Sequence, residues 1–209
     1  MFYPSEFVYN SQWLDGSSLS LPLTQELLAD VPEFMAQIQD VIKYDKKVEL
    51  DILEATDHYR EFVRQLKEGP QPMNSTRLCE IHRGMFRSTN ERAGQIRDCD
   101  IPEYETEMIY PHYKFMPYLV EGYDLWIANT SLTGLELALE IHRRVIDIHP
   151  FAEGNGRVAR AALNIVLNEA RLQMFDIKAK WDKEYTYALV TGSSVEWLRS
   201  RYSESVIVI

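Results

Sequence analysis

Two stretches with helical spacing meet at a turn that cannot itself be helical. From Gly134 to Asp147, Leu135, Ala138, Leu139, His142, Val145 and Ile146 recur at threes and fours, and His149 continues that face. Beyond the turn the same spacing carries Val158, Ala161, Ala162, Ile165 and Val166, the pattern of amphipathic helices. Between them runs IHPFAEGNGRVAR, Ile148–Arg160. Pro150 lacks the N–H that a helix interior requires, so the first helix ends near His149. Gly154 and Gly156 let the backbone take turns that other residues resist. The chain is thereby committed to a helix-loop-helix. Such a loop can aim successive N–H groups into one concavity, an anion-binding nest. The positive end of the second helix falls at the same place.

The side chains around the turn suit a phosphate chain. Arg157 and Arg160, three apart in the first helical turn, share a face. Cations there oppose the helix dipole, so two together point to a counter-anion, and guanidinium forks match phosphate oxygens. Glu153 would repel phosphate unless a divalent cation intervened, and one carboxylate plus phosphate oxygens is a usual way to hold Mg²⁺. Asn155 can fix the loop or donate to a phosphate. His149, neutral at a helix end, can take a proton from an incoming hydroxyl. Singly, each has an ordinary structural use as a helix-end histidine, a turn or a surface ion pair. Their conjunction in one short window points to a phosphate site.

The rest of the chain reads as helical. Thr24 is positioned to cap a helix carrying Leu27, Leu28, Val31, Phe34, Met35, Ile38 and Ile42. A second helix spans about Lys46–Glu68, with Ile52, Ala55, Tyr59, Phe62, Val63 and Leu66 on one face, and EGPQP stops it. A third starts near Ser75 and packs Leu78, Ile81, His82, Met85 and Phe86. Residues 88–112 break the pattern, and ETEMIY within them predicts a short strand or hairpin arm. Helical spacing returns over Tyr113–Asn129, and two shorter helices are expected near Glu184–Val190 and Val195–Arg201. No hinge separates these pieces, so one domain is expected.

Composition narrows the partners. Apolar residues make up 45% of the 209, ample for one core, and the net charge is −10. No basic stripe accompanies that charge, which argues against nucleic acid as the main partner. Cys79 and Cys99 lie far apart without CxxC partners, against a disulfide framework or a zinc site. Free thiols fit a reducing compartment. The opening MFYPSEFVYNSQW has neither a basic n-region nor a long apolar h-region, and no apolar run reaches the ~18 residues of a membrane span. A cytoplasmic protein without membrane partners is expected.

HPFAEGNGR, continuing to Arg160, resembles the signature of Fic domains, His-Pro-Phe-x-[Asp/Glu]-Gly-Asn-Gly-Arg-x-x-Arg, at every fixed position. AGQIRD at Ala93–Asp98 is similar to the family's Ala-Gly-x-x-Arg segment, and His142 matches a common family position. The resemblance implies an all-α Fic fold with a short β-hairpin flap. One Fic domain would span 1–209, with a core over 75–190 and an N-terminal helical region over 1–70. It implies transfer of AMP from ATP to a Ser, Thr or Tyr hydroxyl of a target protein, or of the chain itself, and the family often dimerises. By position His149 would be the general base and Glu153 the Mg²⁺ ligand. Gly154, Asn155 and Gly156 would form the nest, with Arg157 and Arg160 on phosphates. Glu105, Thr106, Glu107, Met108 and Ile109 would clamp the target as an added strand.

A second resemblance lies near residues 11–23. Ser11-x-x-x-Asp15-Gly16 resembles the family's N-terminal inhibitory element, [Ser/Thr]-x-x-x-Glu-[Gly/Asn], whose acid pairs with the second arginine. Here Asp15 stands where that element has glutamate, one methylene longer. Ser200-x-x-x-Glu204-Ser205 is a C-terminal candidate lacking the Gly/Asn. Alternatives within the same site are UMP, phosphate or phosphocholine transfer, removal of AMP, or an inactive ATP-binding module. The intact Gly-Asn-Gly favours nucleotidyl transfer.

Overall fold

The structure, a computed structural model, describes residues 2–42, 45–102 and 108–206, the side chains of 38–42 excepted. Ten α-helices follow in order: α1 Pro4–Trp13, α2 Leu21–Ala29, α3 Val31–Ile42, α4 Lys46–Lys67, α5 Ser75–Phe86, α6 Met116–Asn129, α7 Gly134–Ile148, α8 Asn155–Glu169, α9 Asp182–Val190 and α10 Ser194–Val206. No strand forms among the described residues. Met108 and Ile109 lie in a bend and an irregular segment, and Glu105, Thr106 and Glu107 fall outside the described residues.

α8 is the axis. Val158, Ala159, Ala161, Ala162, Leu163, Ile165, Val166 and Leu167 are all buried, as expected of a helix apolar nearly all round. Its alanines let neighbours approach closely. α7 packs along it through Ala138, Leu139, Ile141, Val145 and Ile146, while α4, α1 and α5 cover its other sides. Phe7, Phe62, Phe86 and Phe151 are fully buried among them. Full burial of such side chains contributes about 1.5–3 kcal/mol each.

Two expectations change. The helix expected from Thr24 onward is two helices, α2 and α3. Asp30 interrupts them in an extended conformation (φ −149°, ψ 92°), and its Oδ1 accepts from Glu33 N at 3.1 Å, because Pro32 needs a fresh helix start. Ser20, not Thr24, is the N-cap of α2, accepting from Leu23 N, and Thr24 bonds back to Ser20 O at 3.0 Å inside the helix. On α4, Val63 and Leu66 are only half-buried, while Asp51, His58, Glu61 and Gln65 are buried. These polar residues face inward because each has its own partner: Asp51 accepts from Ser18, His58 meets Gln12, Glu61 accepts from Arg64 and Gln65, and Gln65 accepts from Arg77.

Candidate active site

His149 ends α7 in the left-handed conformation (φ 52°, ψ 61°), its N–H bonded to Val145 O at 3.0 Å. Nδ1 lies 3.3 Å from Ile146 O, so it carries the proton and leaves Nε2 as acceptor. The Tyr110 ring stacks on the imidazole, centroids 3.6 Å apart. Burial pushes the His149 pKa down to about 4; the bond to Ile146 opposes this and the Arg97 charge adds to it. The imidazole is therefore neutral at pH 7.

The turn after it is built from its own side chains. Asn155 Oδ1 accepts from Phe151 N at 2.9 Å, and its Nδ2 donates to Phe151 O at 2.8 Å. The Asn155 side chain is thus committed to the loop's shape. Gly154 (φ 74°) precedes α8 with its Cα against Phe86. An added Cβ would sit 2.3 Å from Phe86 Cζ. His82 braces the loop from below: Gly94 N donates to its Nδ1 at 2.7 Å, so Nε2 donates to Glu153 O at 3.2 Å. The Glu153 side chain is exposed, and its Oε1 accepts from Asn90 Nδ2 at 2.7 Å.

The two arginines diverge. Arg160 is 3% exposed. Its Nε donates to Ser11 Oγ at 2.9 Å, and its Nη2 donates to Ser11 O at 2.8 Å and Asp15 Oδ1 at 2.7 Å. The Ser11 carbonyl belongs to the last turn of α1, where carbonyls lack helical partners and cations are favoured. Arg157 turns the other way. Its Nε lies 2.8 Å from Asp15 Oδ2, its Nη1 donates to Gln12 Oε1 at 3.1 Å and to Glu54, and its guanidinium covers the Phe86 ring at 4.3 Å. Asp15 thus bridges both arginines despite its short side chain, because Ser11 brings α1 directly against α8. Gly16, at φ 87°, turns the chain away beyond it. Ser200–Ser205 does nothing comparable: Glu204 pairs with Arg201 at the surface.

His149, Glu153, Gly154, Asn155, Gly156, Arg160 and Asp15 line one cleft of about 390 Å³, whose far wall carries Tyr185 and Thr186 of α9. Behind it the buried His142 Nε2 meets Tyr185 Oη at 2.7 Å. Among the described residues no three His, Cys, Asp or Glu side chains cluster. Of the carboxylates lining the cleft, Asp15 is paired with the arginines and Asp182 stands at the start of α9, so on the turn itself a divalent cation would find Glu153, one carboxylate that fits Mg²⁺ completed by phosphates and water. Spacing alone missed Glu54, Gln12, Asn90 and Tyr110. A signal for Glu54 exists: Asp51, Glu54, His58, Glu61 and Gln65 form a polar stripe at three- and four-residue spacing along α4.

A glycine turn at a helix N-terminus, an imidazole at its entrance and a buried arginine beyond it give this helical protein a cleft with the chemistry to hold an anion. Residues 72–167 match the Fic/DOC family and form a Fic/DOC domain. The protein adenylyltransferase Fic of Nematostella vectensis is 22% identical over 169 residues, 79% of this chain and 38% of that protein. The protein adenylyltransferase fic-1 of Caenorhabditis elegans is 24% identical over 165 residues, 77% of this chain and 31% of that protein. The chain thus spans well under half the length of these relatives. The fold is shared with a Fic domain containing signaling protein from Bacteroides thetaiotaomicron (TM-score 0.74, 22% identity, 98% of this chain and 85% of that one). It is also shared with a Fic family protein from Desulfovibrio desulfuricans (TM-score 0.73, 19% identity, 97% and 64%). Among the described residues no helix is long and apolar enough to cross a membrane.

Proposed function

We propose that this protein transfers AMP from ATP to a Ser, Thr or Tyr hydroxyl of a target protein, or of itself, and releases pyrophosphate. The observation that carries this is one cleft holding a neutral imidazole, a glycine turn at a helix N-terminus and Arg160. The hydroxyl oxygen attacks the α-phosphorus in line, its proton passes to His149 Nε2, and the bond to the oxygen bridging to the β-phosphate breaks. The backbone of Gly154–Gly156 orients the phosphates and Arg160 takes the far end. Positioning and charge neutralisation do most of the work. Glu153 would hold Mg²⁺, which neutralises phosphate charge. Glu105, Thr106, Glu107, Met108 and Ile109 would receive the target as an added strand.

The same function comes with a restraint. Asp15 occupies the guanidinium of Arg160 that the terminal phosphate requires, so ATP must displace it to bind productively. The Fic relatives named as adenylyltransferases support the transfer chemistry, and the Ser11–Asp15–Arg160 contacts support the restraint.

The test is incubation of the protein with α-labelled ATP and Mg²⁺, alone and with a cell extract, beside His149→Ala and Asp15→Ala. Label should attach to protein in the parent, increase in Asp15→Ala and vanish in His149→Ala. Label from γ-labelled but not α-labelled ATP would indicate phosphate transfer instead, and label from UTP alone would indicate UMP transfer. Nucleotide binding with no transfer even in Asp15→Ala would indicate a binding module.

A further inference from the structure

Arg97 is buried to 2% exposure, and among the described residues the nearest carboxylate oxygen to its guanidinium is Asp100 Oδ1 at 4.0 Å. An ion buried without a close partner costs several kcal/mol unless hydrogen bonds satisfy it. Here the hydrogen-bond partners among the described residues are backbone carbonyls. Nε donates to His149 O at 2.7 Å, Nη1 to Cys99 O at 3.0 Å, and Nη2 to Pro111 O. Its own N–H donates to Pro150 O at 2.8 Å. One planar fork thus joins the backbone of the left-handed His149 to that of Cys99 and of Pro111, whose neighbour Tyr110 stacks on the His149 ring.

We propose that Arg97 is a positioning residue that fixes the His149 backbone relative to Cys99 and Pro111, so that the His149 imidazole and the Tyr110 ring stacked on it keep one geometry. Its part in catalysis rests on His149 being the base; the lock itself does not. A lysine could not replace it, because an ammonium presents a compact tetrahedral head rather than a planar fan able to reach three separated carbonyls.

In the unaltered protein the Arg97 Nε–H should exchange with solvent at least ~100-fold more slowly than that of Arg92, whose side chain is 45% exposed. Equal rates would overturn the proposal whatever any variant does. Arg97→Lys and Arg97→Gln are then compared by imidazole NMR, with His149 assigned through His149→Ala and the buried His142 as internal control. Both variants should lose at least half of the upfield ring-current shift that Tyr110 imposes on His149. The His149 titration midpoint, held down first by burial and then by the Arg97 charge, with the Ile146 bond and Asp15 opposing, should rise in both variants, and further in Arg97→Gln, which also removes the charge. A folded variant that keeps the parent's ring-current shift refutes the lock. In the Asp15→Ala background, Arg97→Lys should lower kcat by about 10–100-fold with KM for ATP little changed. If Asp15→Ala itself transfers nothing, adenylyl transfer fails while the NMR results still decide the role of Arg97.

Discussion

Replacing Asp15 by alanine should destabilise the protein and tighten its grip on ATP at once. Asp15 lies 2.7 Å from Arg160 Nη2 and 2.8 Å from Arg157 Nε, with a side chain 23% exposed. Hydrogen bonds to charged groups contribute about 1.5–3 kcal/mol, and partial exposure places this bridge toward the lower end, about 2 kcal/mol. Arg160 is not orphaned by the change, since Ser11 Oγ and Ser11 O remain. Without nucleotide, a loss of about 2 kcal/mol in a chain of this size lowers Tm by about 4–8 °C. With saturating nucleotide the deficit disappears, because ATP breaks the same bridge in the parent. ATP no longer competes with the carboxylate, so the same 2 kcal/mol appears as roughly 30-fold tighter binding, and the ATP-induced rise in Tm exceeds the parent's. Calorimetry for Kd and thermal melting with and without ATP–Mg²⁺ measure both. A lower Tm with unchanged ATP affinity would make Asp15 a brace and not a competitor. No change in either would refute the bridge.

Other outcomes follow from the same contacts. Gly154→Ala should lower Tm by several degrees and weaken nucleotide binding, because φ 74° strains an L-residue and the new methyl meets Phe86. Melting and ATP titration check it. Acid should destabilise the fold from below pH 6.5. Burial lowers the folded pKa of His82 and His149 to about 4 and of His142 to about 3. The unfolded chain therefore binds protons first, and stability falls as pH drops from 6.5 toward 4 and 3, with no such slope above 6.5. Denaturant midpoints across that range should show it, and His149→Ala should shallow the slope between pH 6.5 and 4. Transfer, in contrast, should show no acid limb from His149 until pH approaches about 4.

The helix-loop-helix was legible because proline, glycine and apolar period are local signals, and α7 and α8 end and begin where they predict. The split between α2 and α3 was written in Pro32 but masked by an apolar period that runs through it. On α4, following apolar residues alone hid the inward polar stripe, whose members are spoken for individually: Asp51 by Ser18, Glu54 by Arg157, His58 by Gln12, Gln65 by Arg77. The bridge from Asp15 to Arg160 and the bonds from Arg97 to His149 and Pro111 join distant parts of the chain, where spacing carries no information. Family resemblance suggested the first; only the fold brings the others together.

That distance also bears on how the molecule forms. The α7–α8 turn closes over a few residues, whereas α1 seats by contacts 145 to 172 residues long: Asp15 on Arg160, Asn10 on Ala179, Glu6 on Lys178. Loop-closure entropy makes the longer closure costlier by roughly 3 kcal/mol, and such contacts form late. The expected order is α8 and its arginines first and α1 afterwards. If Asp15 does compete with nucleotide for Arg160, ATP added during refolding should delay the seating of α1, which stopped-flow refolding with and without ATP would read.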